Sequence, residues 1–383
     1  VKLSQRIGRK TGGIHTTAFV SDIRESETGS TWLFVRGKAT MEQTQELLAI
    51  LRDVLLTANL DNQERFRQMV LEAKARKEAS LVPSGHSIVN TRLRAHFSEA
   101  GWVAEQMGGV SYLYFLRQLA QAVEDDWPSV REKLEQIRQI IINRTAMVCN
   151  VTLDADNWVA FKPQLVDFLP LLPAATVELR TWLPERLPAP EGLAIPAQVN
   201  YVGKGTNLYE LGYELDGSIS VITNFLRTSW LWEKVRAQGG AYGAYCQFDR
   251  HSGVFSFLSY RDPNLLGTLA TYDRTVQFLR QLDLNQDELE KSIIGAIGAM
   301  DAYQLPDAKG YTSMIRYLLG VTDEERQQYR DEILSTTAAD FKAFADVLAR
   351  VNQNGLVVVM GSPEALAAAN ESRGGWLEVT RVM

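Results

Sequence analysis

The stretch VRAQGGAYGAYC, residues 235–246, combines residue types that can assist acyl-transfer chemistry. Arg236 carries a fixed positive charge, Tyr242 carries a phenolic hydroxyl, and the diglycine Gly239–Gly240 separates them. A tyrosine hydroxyl can donate a hydrogen bond to an oxygen that becomes negative during acyl transfer, and an arginine can add positive charge. Neither group is a nucleophile or a metal ligand at this spacing. The pair therefore predicts assistance to a reaction, and the alternative is a tight turn with a salt-bridged arginine and a core tyrosine.

Metal ligands and nucleophiles do not form a catalytic motif elsewhere in the sequence. The histidines are His15, His86, His96 and His251. The nearest approach to an inverted zinc motif is His96–Ala100, which lacks the second imidazole. Cys149 and Cys246 are too few for a cysteine-based zinc site, and each is expected to pack as a small apolar residue. We therefore predict no metal site and no cofactor in this chain.

The composition excludes several other classes of protein. The chain has 383 residues, 22% of them charged, and a formal net charge of −6, which does not favour nucleic-acid binding. No apolar run approaches the ~20 residues that span a bilayer. Two cysteines do not form a disulfide framework, which indicates a reducing compartment. The glycine-rich run 202–206 is too short for a phosphate-binding loop and predicts the end of a strand or a bulge.

The sequence pattern around the diglycine occurs twice in the chain. Gly12–Gly13 lies 227 residues before Gly239–Gly240, and Gly29 lies 224 residues before Gly253. Each diglycine follows an arginine and precedes a strand, a glycine turn, a second strand and helices. His15 takes the position of Tyr242 in the first copy, so the pairing of Arg236 with Tyr242 belongs to the second copy alone. A turn requires only the glycines, which favours a further role for the pair.

Apolar periodicity predicts the elements that position these residues. The predicted strands are 14–23, 31–36, 146–153, 198–202, 241–249, 254–260 and 356–360. The predicted helices are 41–57, 62–80 with Asp61 as N-cap, 87–107, 111–123, 127–139, 156–169 with a kink at Pro163, 218–235, 264–281, 286–302, 308–319, 322–351 and 363–370.

A proline-rich segment divides the chain. Seven of the twelve prolines lie between Pro163 and Pro196, and the run 183–197 is predicted to form neither a helix nor a central strand. The predicted organisation is a first domain at 1–180 with a helical insertion, a linker at 181–197 and a second domain at 198–383. The first domain lacks the element that precedes Arg236 in the second copy, and we expect its start to be incomplete.

The block Leu231–Gly243, LWEKVRAQGGAYG, resembles the C-terminal half of presequence proteases, a branch of the pitrilysin and insulin-degrading-enzyme family. The run Arg6–Ile14, RIGRKTGGI, is similar to the third-domain motif of these enzymes, and Arg92–Gly101 fits their helical stretch. The resemblance implies an α+β fold with two duplicated pitrilysin-type domains, each an antiparallel-rich sheet packed with helices, the first truncated at its N-terminus.

The resemblance also implies a function. Family members are zinc metalloendopeptidases that close around short unfolded peptides, such as cleaved targeting peptides. Their N-terminal half binds Zn²⁺, and an arginine and a tyrosine of the C-terminal half, here Arg236 and Tyr242, stabilise the tetrahedral intermediate. Gly239 and Gly240 would contact the peptide. The expected partners are the N-terminal catalytic half and unfolded peptides, with no nucleic acid and no membrane. The expected location is the cytoplasm in a bacterium, or an organelle matrix or stroma in a eukaryote.

Two alternatives remain open at this stage. The chain could be a non-catalytic substrate-binding or structural subunit of a pitrilysin-type complex, or a peptide-binding module without any role in catalysis. A zinc motif upstream in the same reading frame favours the peptidase half, and a start codon near Val1 favours the separate subunit.

Overall fold

A computed structural model describes residues 2–26, 28–177 and 182–383. The helices of its first part are α1 (Lys2–Lys10), α2 (Thr44–Arg52), α3 (Gln63–Ser80), α4 (Gly85–Arg94), α5 (Glu99–Gly108), α6 (Val110–Asp125), α7 (Trp127–Ile141) and α8 (Ala155–Phe168). Its strands are β1 (Ile14–Ser21) and β2 (Ser30–Gly37), which pair antiparallel.

The second part contains strands on both sides of a helical stretch. The strands are β3 (Glu191–Ala194), β4 (Tyr201–Asn207), β5 (Gly243–Phe248), β6 (Val254–Tyr260), β7 (Leu356–Gly361) and β8 (Glu378–Arg381). The helices are α9 (Ser218–Thr228), α10 (Leu266–Gln281), α11 (Gln286–Met300), α12 (Pro306–Leu318), α13 (Asp323–Leu334), α14 (Ala338–Asn354) and α15 (Pro363–Arg373).

The six strands of the second part form one mixed sheet in the order β5-β6-β4-β7-β3-β8. Every pairing from β5 to β7 is antiparallel, whereas β3 lies parallel to both β7 and β8. The mixture of helices with an antiparallel-rich sheet confirms the α+β fold class predicted from the sequence.

Helices of both parts cover the sheet. On one face, α9, α10 and α14 enclose a core around Phe255, Phe257 and Tyr272. On the other face, α4 and α6 of the first part pack against Tyr201 and Met360. The helical stretch of the first part therefore covers the second face of this sheet.

Small residues allow α4 to approach the sheet closely. A Cβ at Gly203 would lie 2.5 Å from Val89 Cγ1, and a Cβ at Gly85 would lie 2.6 Å from the ring of Tyr201. Gly203 lies inside β4, so the glycine-rich run is strand interior under a helix. The close approach of a helix explains the glycines that the sequence analysis assigned to a strand end or bulge.

The structure corrects two strand predictions. Residues 147–154 form no strand, and Met147, Val148 and Cys149 are exposed. Conversely, Glu191–Ala194 is a fully buried strand between β7 and β8, so the prediction that 183–197 contains no central strand is wrong. Pro184, Pro188, Pro190 and Pro196 all lie outside these four residues, so β3 keeps its backbone donors. Residues 178–181, where the first domain was predicted to end and the linker to begin, lie outside the described residues.

Several element boundaries also differ from the prediction. The predicted helix 87–107 is split between α4 and α5, where Ser98 caps α5 by accepting from Gly101 N. The predicted helix 322–351 is split at Thr337, which caps α14 in a capping box with Asp340. The cap of α3 is Asn62, whose side chain accepts from Arg65 N, and not Asp61. In each case a local side-chain hydrogen bond to free backbone N–H groups starts a new helix.

Candidate active site

Arg236 lies in a π-helical turn that follows helix α9. Residues 229–231 continue from α9 into a π-helical turn, Trp232–Ala237, which buries Val235 and turns Arg236 outward. The Arg236 guanidinium carbon lies 5.9 Å from the centroid of the Trp232 ring, a cation–π contact at the surface. Within the part of the chain that the structure describes, Arg236 has no ion-pair partner, so its charge is available to a ligand.

The backbone of the diglycine explains why each of its two positions requires a glycine. Gly240 has φ of 80°, a left-handed conformation that disfavours a side chain. A Cβ at Gly239 would lie 2.5 Å from Val235 O, so only glycine fits without a shift of the backbone. Gly240 N donates to Arg236 O at 2.9 Å, and Asn264 Nδ2 donates to Gly239 O at 2.6 Å. These bonds hold the turn between Arg236 and Tyr242 in one conformation.

Tyr242 stands at the start of the edge strand β5 with its phenol in solvent. Its side chain is 71% exposed, while its backbone N–H donates to Tyr260 O at 3.0 Å. The main chain is therefore anchored and the hydroxyl is presented outward. The alternative of a core tyrosine beside a salt-bridged arginine is wrong for this turn.

Arg261 is a third residue of this site that the sequence analysis missed. Its guanidinium carbon lies 5.9 Å from the centroid of the Tyr242 ring and 5.5 Å from that of Tyr260. Its φ is 48°, an uncommon conformation for a residue with a side chain, of the kind that clusters at functional sites. Its Nε is buried without a hydrogen-bond partner among the described residues. Nothing in the local sequence signals the positive φ that brings this second cation beside the phenol.

The first copy of the repeat also has a glycine with positive φ ahead of its hairpin, but it has no tyrosine at the position of Tyr242. Gly13 has φ of 108° and connects α1 to β1, as Gly240 connects the π-helical turn to β5. A Cβ at Gly13 would meet His15 Nε2 at 2.7 Å, so the imidazole lies back over the glycine. Both copies thus have an arginine before a glycine with positive φ, and only the second follows it with a tyrosine.

The described residues contain no group of three or more His, Cys, Asp or Glu side chains that could hold a metal ion. His96 Nε2 is buried and finds no partner in these ranges, and burial lowers the pKa of His96 to about 4. Glu99, which is three residues away, accepts from Trp182 N at 3.1 Å. Cys246 is buried as expected, whereas Cys149 is exposed and the prediction that it packs in a strand is wrong. Among the described helices, none has the length and apolar character to cross a bilayer.

Comparison with known proteins identifies the family. Residues 190–363 match the family model described as the PreP C-terminal domain, and residues 1–119 match the model of the region associated with subfamily C of the M16 peptidases. The chain is 47% identical over 385 aligned positions to presequence protease 1, chloroplastic/mitochondrial, of Arabidopsis thaliana, covering 100% of this chain and 36% of that protein. The chain belongs to the presequence protease branch of the pitrilysin family.

More distant relatives cover a similar share of their own length. A mitochondrial presequence protease of Eremothecium gossypii is 24% identical, with 90% of this chain and 36% of that protein covered. Protein HypA of Clostridium perfringens is 28% identical, with 95% and 37% covered. The chain therefore spans just over a third of the length of these relatives.

Solved structures support the fold. A protease from Helicobacter pylori superposes with a TM-score of 0.60 at 12% identity, covering 94% of this chain and 84% of that chain. The peptidase M16 inactive domain from Pseudomonas fluorescens superposes with a TM-score of 0.58 at 12% identity, covering 94% and 83%. At this identity the likeness establishes the shared architecture only.

Proposed function

We propose that this chain is the C-terminal, non-zinc-binding portion of a zinc metalloendopeptidase that degrades short unfolded peptides in a closed chamber. One observation carries the proposal. Arg236 and Tyr242 present a guanidinium without an ion-pair partner among the described residues and an exposed phenol, at the two ends of a turn whose backbone is fixed by hydrogen bonds.

The proposed chemistry follows from these two groups. When a peptide bond is attacked, its carbonyl oxygen gains negative charge in the tetrahedral intermediate. The Tyr242 hydroxyl donates a hydrogen bond to that oxygen, and Arg236 adds a positive charge beside it. The rigid turn means that little reorganisation is needed when the charge develops. Gly239 and Gly240 leave room for the peptide backbone beside the pair.

The zinc ion of such a peptidase does not fit the described residues, which lack a ligand cluster. We propose that the N-terminal half holds it, on the same polypeptide or on a separate chain. The names of the relatives from Arabidopsis thaliana and Eremothecium gossypii place those proteins in chloroplasts or mitochondria. For a eukaryotic source we accordingly propose an organelle matrix or stroma.

The test is reconstitution. This chain is mixed with a separately produced N-terminal half that carries a zinc motif, and cleavage of an unstructured peptide is followed with and without a chelator. The expected result is hydrolysis that appears only on mixing and disappears with the chelator. Zinc-dependent hydrolysis by this chain without the other half would contradict the proposal. If the double variant Arg236→Gln, Tyr242→Phe gave full activity in the mixture, the chain would be a substrate-binding or structural subunit and not a contributor to catalysis.

A further inference from the structure

The guanidinium of Arg261 contacts two tyrosine rings of the candidate site. Its carbon lies 5.9 Å from the centroid of the Tyr242 ring and 5.5 Å from that of the Tyr260 ring. A guanidinium within about 6 Å of a ring centroid is attracted by the electrons of the ring. Arg261 is half-buried, whereas the side chain of Tyr242 is 71% exposed. The exposed phenol ring therefore rests against a half-buried cation of the protein.

The ring of Tyr260 gives this cation a fixed support. Its centroid lies 4.9 Å from that of the His86 ring, edge to face, and 5.9 Å from that of the Tyr201 ring. Tyr201 is fully buried, and His86 belongs to α4, which packs on the sheet. The contact between Arg261 and Tyr260 thus connects the exposed phenol to the packed core.

The backbone around Arg261 is fixed by hydrogen bonds. Arg261 has φ of 48°, and such a conformation persists only where the surrounding structure imposes it. On its C-terminal side, Asn200 and Asp262 exchange two backbone hydrogen bonds, of 2.7 and 2.8 Å. The carboxylate of Asp262, a fully buried residue, accepts from Asn264 N at 2.9 Å and from Thr268 Oγ1 at 2.7 Å. This framework makes Arg261 a fixed support for a neighbouring ring.

The two arginines of the site differ in their access to a substrate. Arg236 is exposed and lies over the exposed ring of Trp232. Arg261 is half-buried, and its Nε is buried without a partner among the described residues. Within those ranges Arg261 also belongs to no ion pair, so no carboxylate draws its guanidinium away from the tyrosine rings. Arg236 is therefore placed to contact a peptide directly, whereas Arg261 is placed to act through Tyr242.

A hydrogen-bond donor to a developing oxyanion requires an accurate position. Displacements beyond about 0.5 Å or about 10–20° weaken such a site, and an exposed side chain without a support changes its rotamer freely. We propose that Arg261 is a positioning residue of the peptidase reaction, whose guanidinium holds the Tyr242 ring so that the hydroxyl meets the carbonyl oxygen of the peptide. The proposal rests on the proposed function, since it takes Tyr242 as the donor.

The position of the ring is tested first in the purified chain. Fluorotyrosine is placed at position 242, and its fluorine NMR resonance is recorded in the otherwise unsubstituted chain and in Arg261→Met, Arg261→Gly and Arg261→Lys. Glycine accepts the left-handed φ, so Arg261→Gly removes the side chain without straining the backbone. Arg261→Met and Arg261→Gly are expected to move the resonance toward that of fluorotyrosine in an unfolded peptide, and Arg261→Lys, which keeps a cation, less far. The matched control is Arg373→Met, which removes a cation 5.2 Å from the ring centroid of Trp376, outside this site, and is expected to leave the resonance unchanged.

Turnover of the peptidase reconstituted with the N-terminal half tests whether this position matters for the reaction. Arg261→Met is expected to lower kcat by about 10-fold and to change KM by less than about 2-fold, because a misplaced donor is lost in the transition state. Arg261→Lys is expected to lower kcat by no more than about 3-fold, since it keeps a cation near the ring. In the Tyr242→Phe background, Arg261→Met is expected to lower kcat by less than about 2-fold, because two residues that act through one hydroxyl are not additive.

Three results would overturn the proposal. The first is a fluorine resonance that is the same in Arg261→Met as in the unsubstituted chain, and the second is a rise in KM without a fall in kcat. The third is a pair of losses that multiply in the double variant, which would mean that Arg261 contacts the peptide itself. Full activity of Tyr242→Phe alone would refute the proposed function and the role of Arg261 in turnover together, whereas the fluorine resonance separately decides whether Arg261 holds the ring.

Discussion

Replacing Arg92 by methionine is expected to destabilise the protein strongly, because the arginine neutralises two buried carboxylates. Its Nε and Nη2 donate to Glu191 at 2.7 and 2.8 Å, and its Nη1 donates to Glu105 at 3.2 Å. The side chains of Glu191 and Glu105 are both 0% exposed. Removing the cation from a buried ion pair typically costs about 3–5 kcal/mol, since an uncompensated charge stays inside. The bonds join α4 to β3, so the loss is expected in the packing of the first part on the second sheet.

Urea unfolding at pH 7 and pH 5 measures this effect and its cause. Burial raises the pKa of Glu105 in the intact protein, with hydrogen bonds from Ser111 and the charge of Arg92 opposing the rise. In Arg92→Met the opposing charge is lost and the pKa of Glu105 rises further. The folded state then binds a proton that the unfolded state does not, so the penalty is expected to shrink as pH falls from 7 to 5.

The matched control is Arg117→Met on the neighbouring helix α6. Arg117 pairs with Glu78 at 3.0 Å, but the Arg117 side chain is 36% exposed, so a loss of at most about 1 kcal/mol is expected. A loss in Arg92→Met no larger than that of the control, or a loss that is the same at pH 7 and pH 5, would refute the reasoning from buried charge.

Three further predictions concern the pH dependence and the candidate site. Burial lowers the pKa of His96 to about 4, so the unfolded state takes up a proton first as pH falls below about 6.5, and the free energy of unfolding is expected to drop by about 2 kcal/mol between pH 6.5 and 4. Urea unfolding of His96→Asn should lack this pH-dependent drop, and a pH profile equal to that of the unsubstituted chain would contradict the prediction. Gly240→Ala places a side chain at φ of 80° with no close contact, so a loss of about 1 kcal/mol is expected in urea unfolding, and a neutral result would show that the turn relaxes. Tyr242→Phe removes only an exposed hydroxyl and is expected to change the free energy of unfolding by less than about 0.5 kcal/mol, whereas a larger loss would indicate a structural role for the phenol.

Local patterns were sufficient for the elements around the candidate site. The hairpin of β5 and β6 could be predicted from the aromatic and β-branched residues on either side of Gly253. The turn at Gly239–Gly240 before this hairpin could be predicted from the repeat of the same pattern at Gly12–Gly13. Both features depend on neighbours in sequence. The exposure of Tyr242 was not predictable in the same way, because it depends on β5 being the last strand of the sheet.

The errors arose where distant partners decide the structure. The apolar run 146–153 has strand-like composition, yet a strand requires a neighbour to satisfy its backbone, and it has none among the described residues. The short strand β3 has weak strand propensity, yet β7 and β8 pair with it on both sides. Glu191 can be buried there because Arg92, far away in sequence, supplies its counter-charge. Arg261 was missed because a backbone φ has no signature in a single residue type.

The most direct test of the central claim is the turnover of the reconstituted peptidase with Tyr242→Phe. The control is Tyr317→Phe on α12, since Tyr317 is 74% exposed and Tyr242 is 71% exposed. Loss of one oxyanion donor is expected to lower kcat by about 100-fold, and by at least ~10-fold, with little change in KM. The control is expected to retain full activity. Equal kcat values for the two variants would contradict the assignment of Tyr242 as a donor to the tetrahedral intermediate.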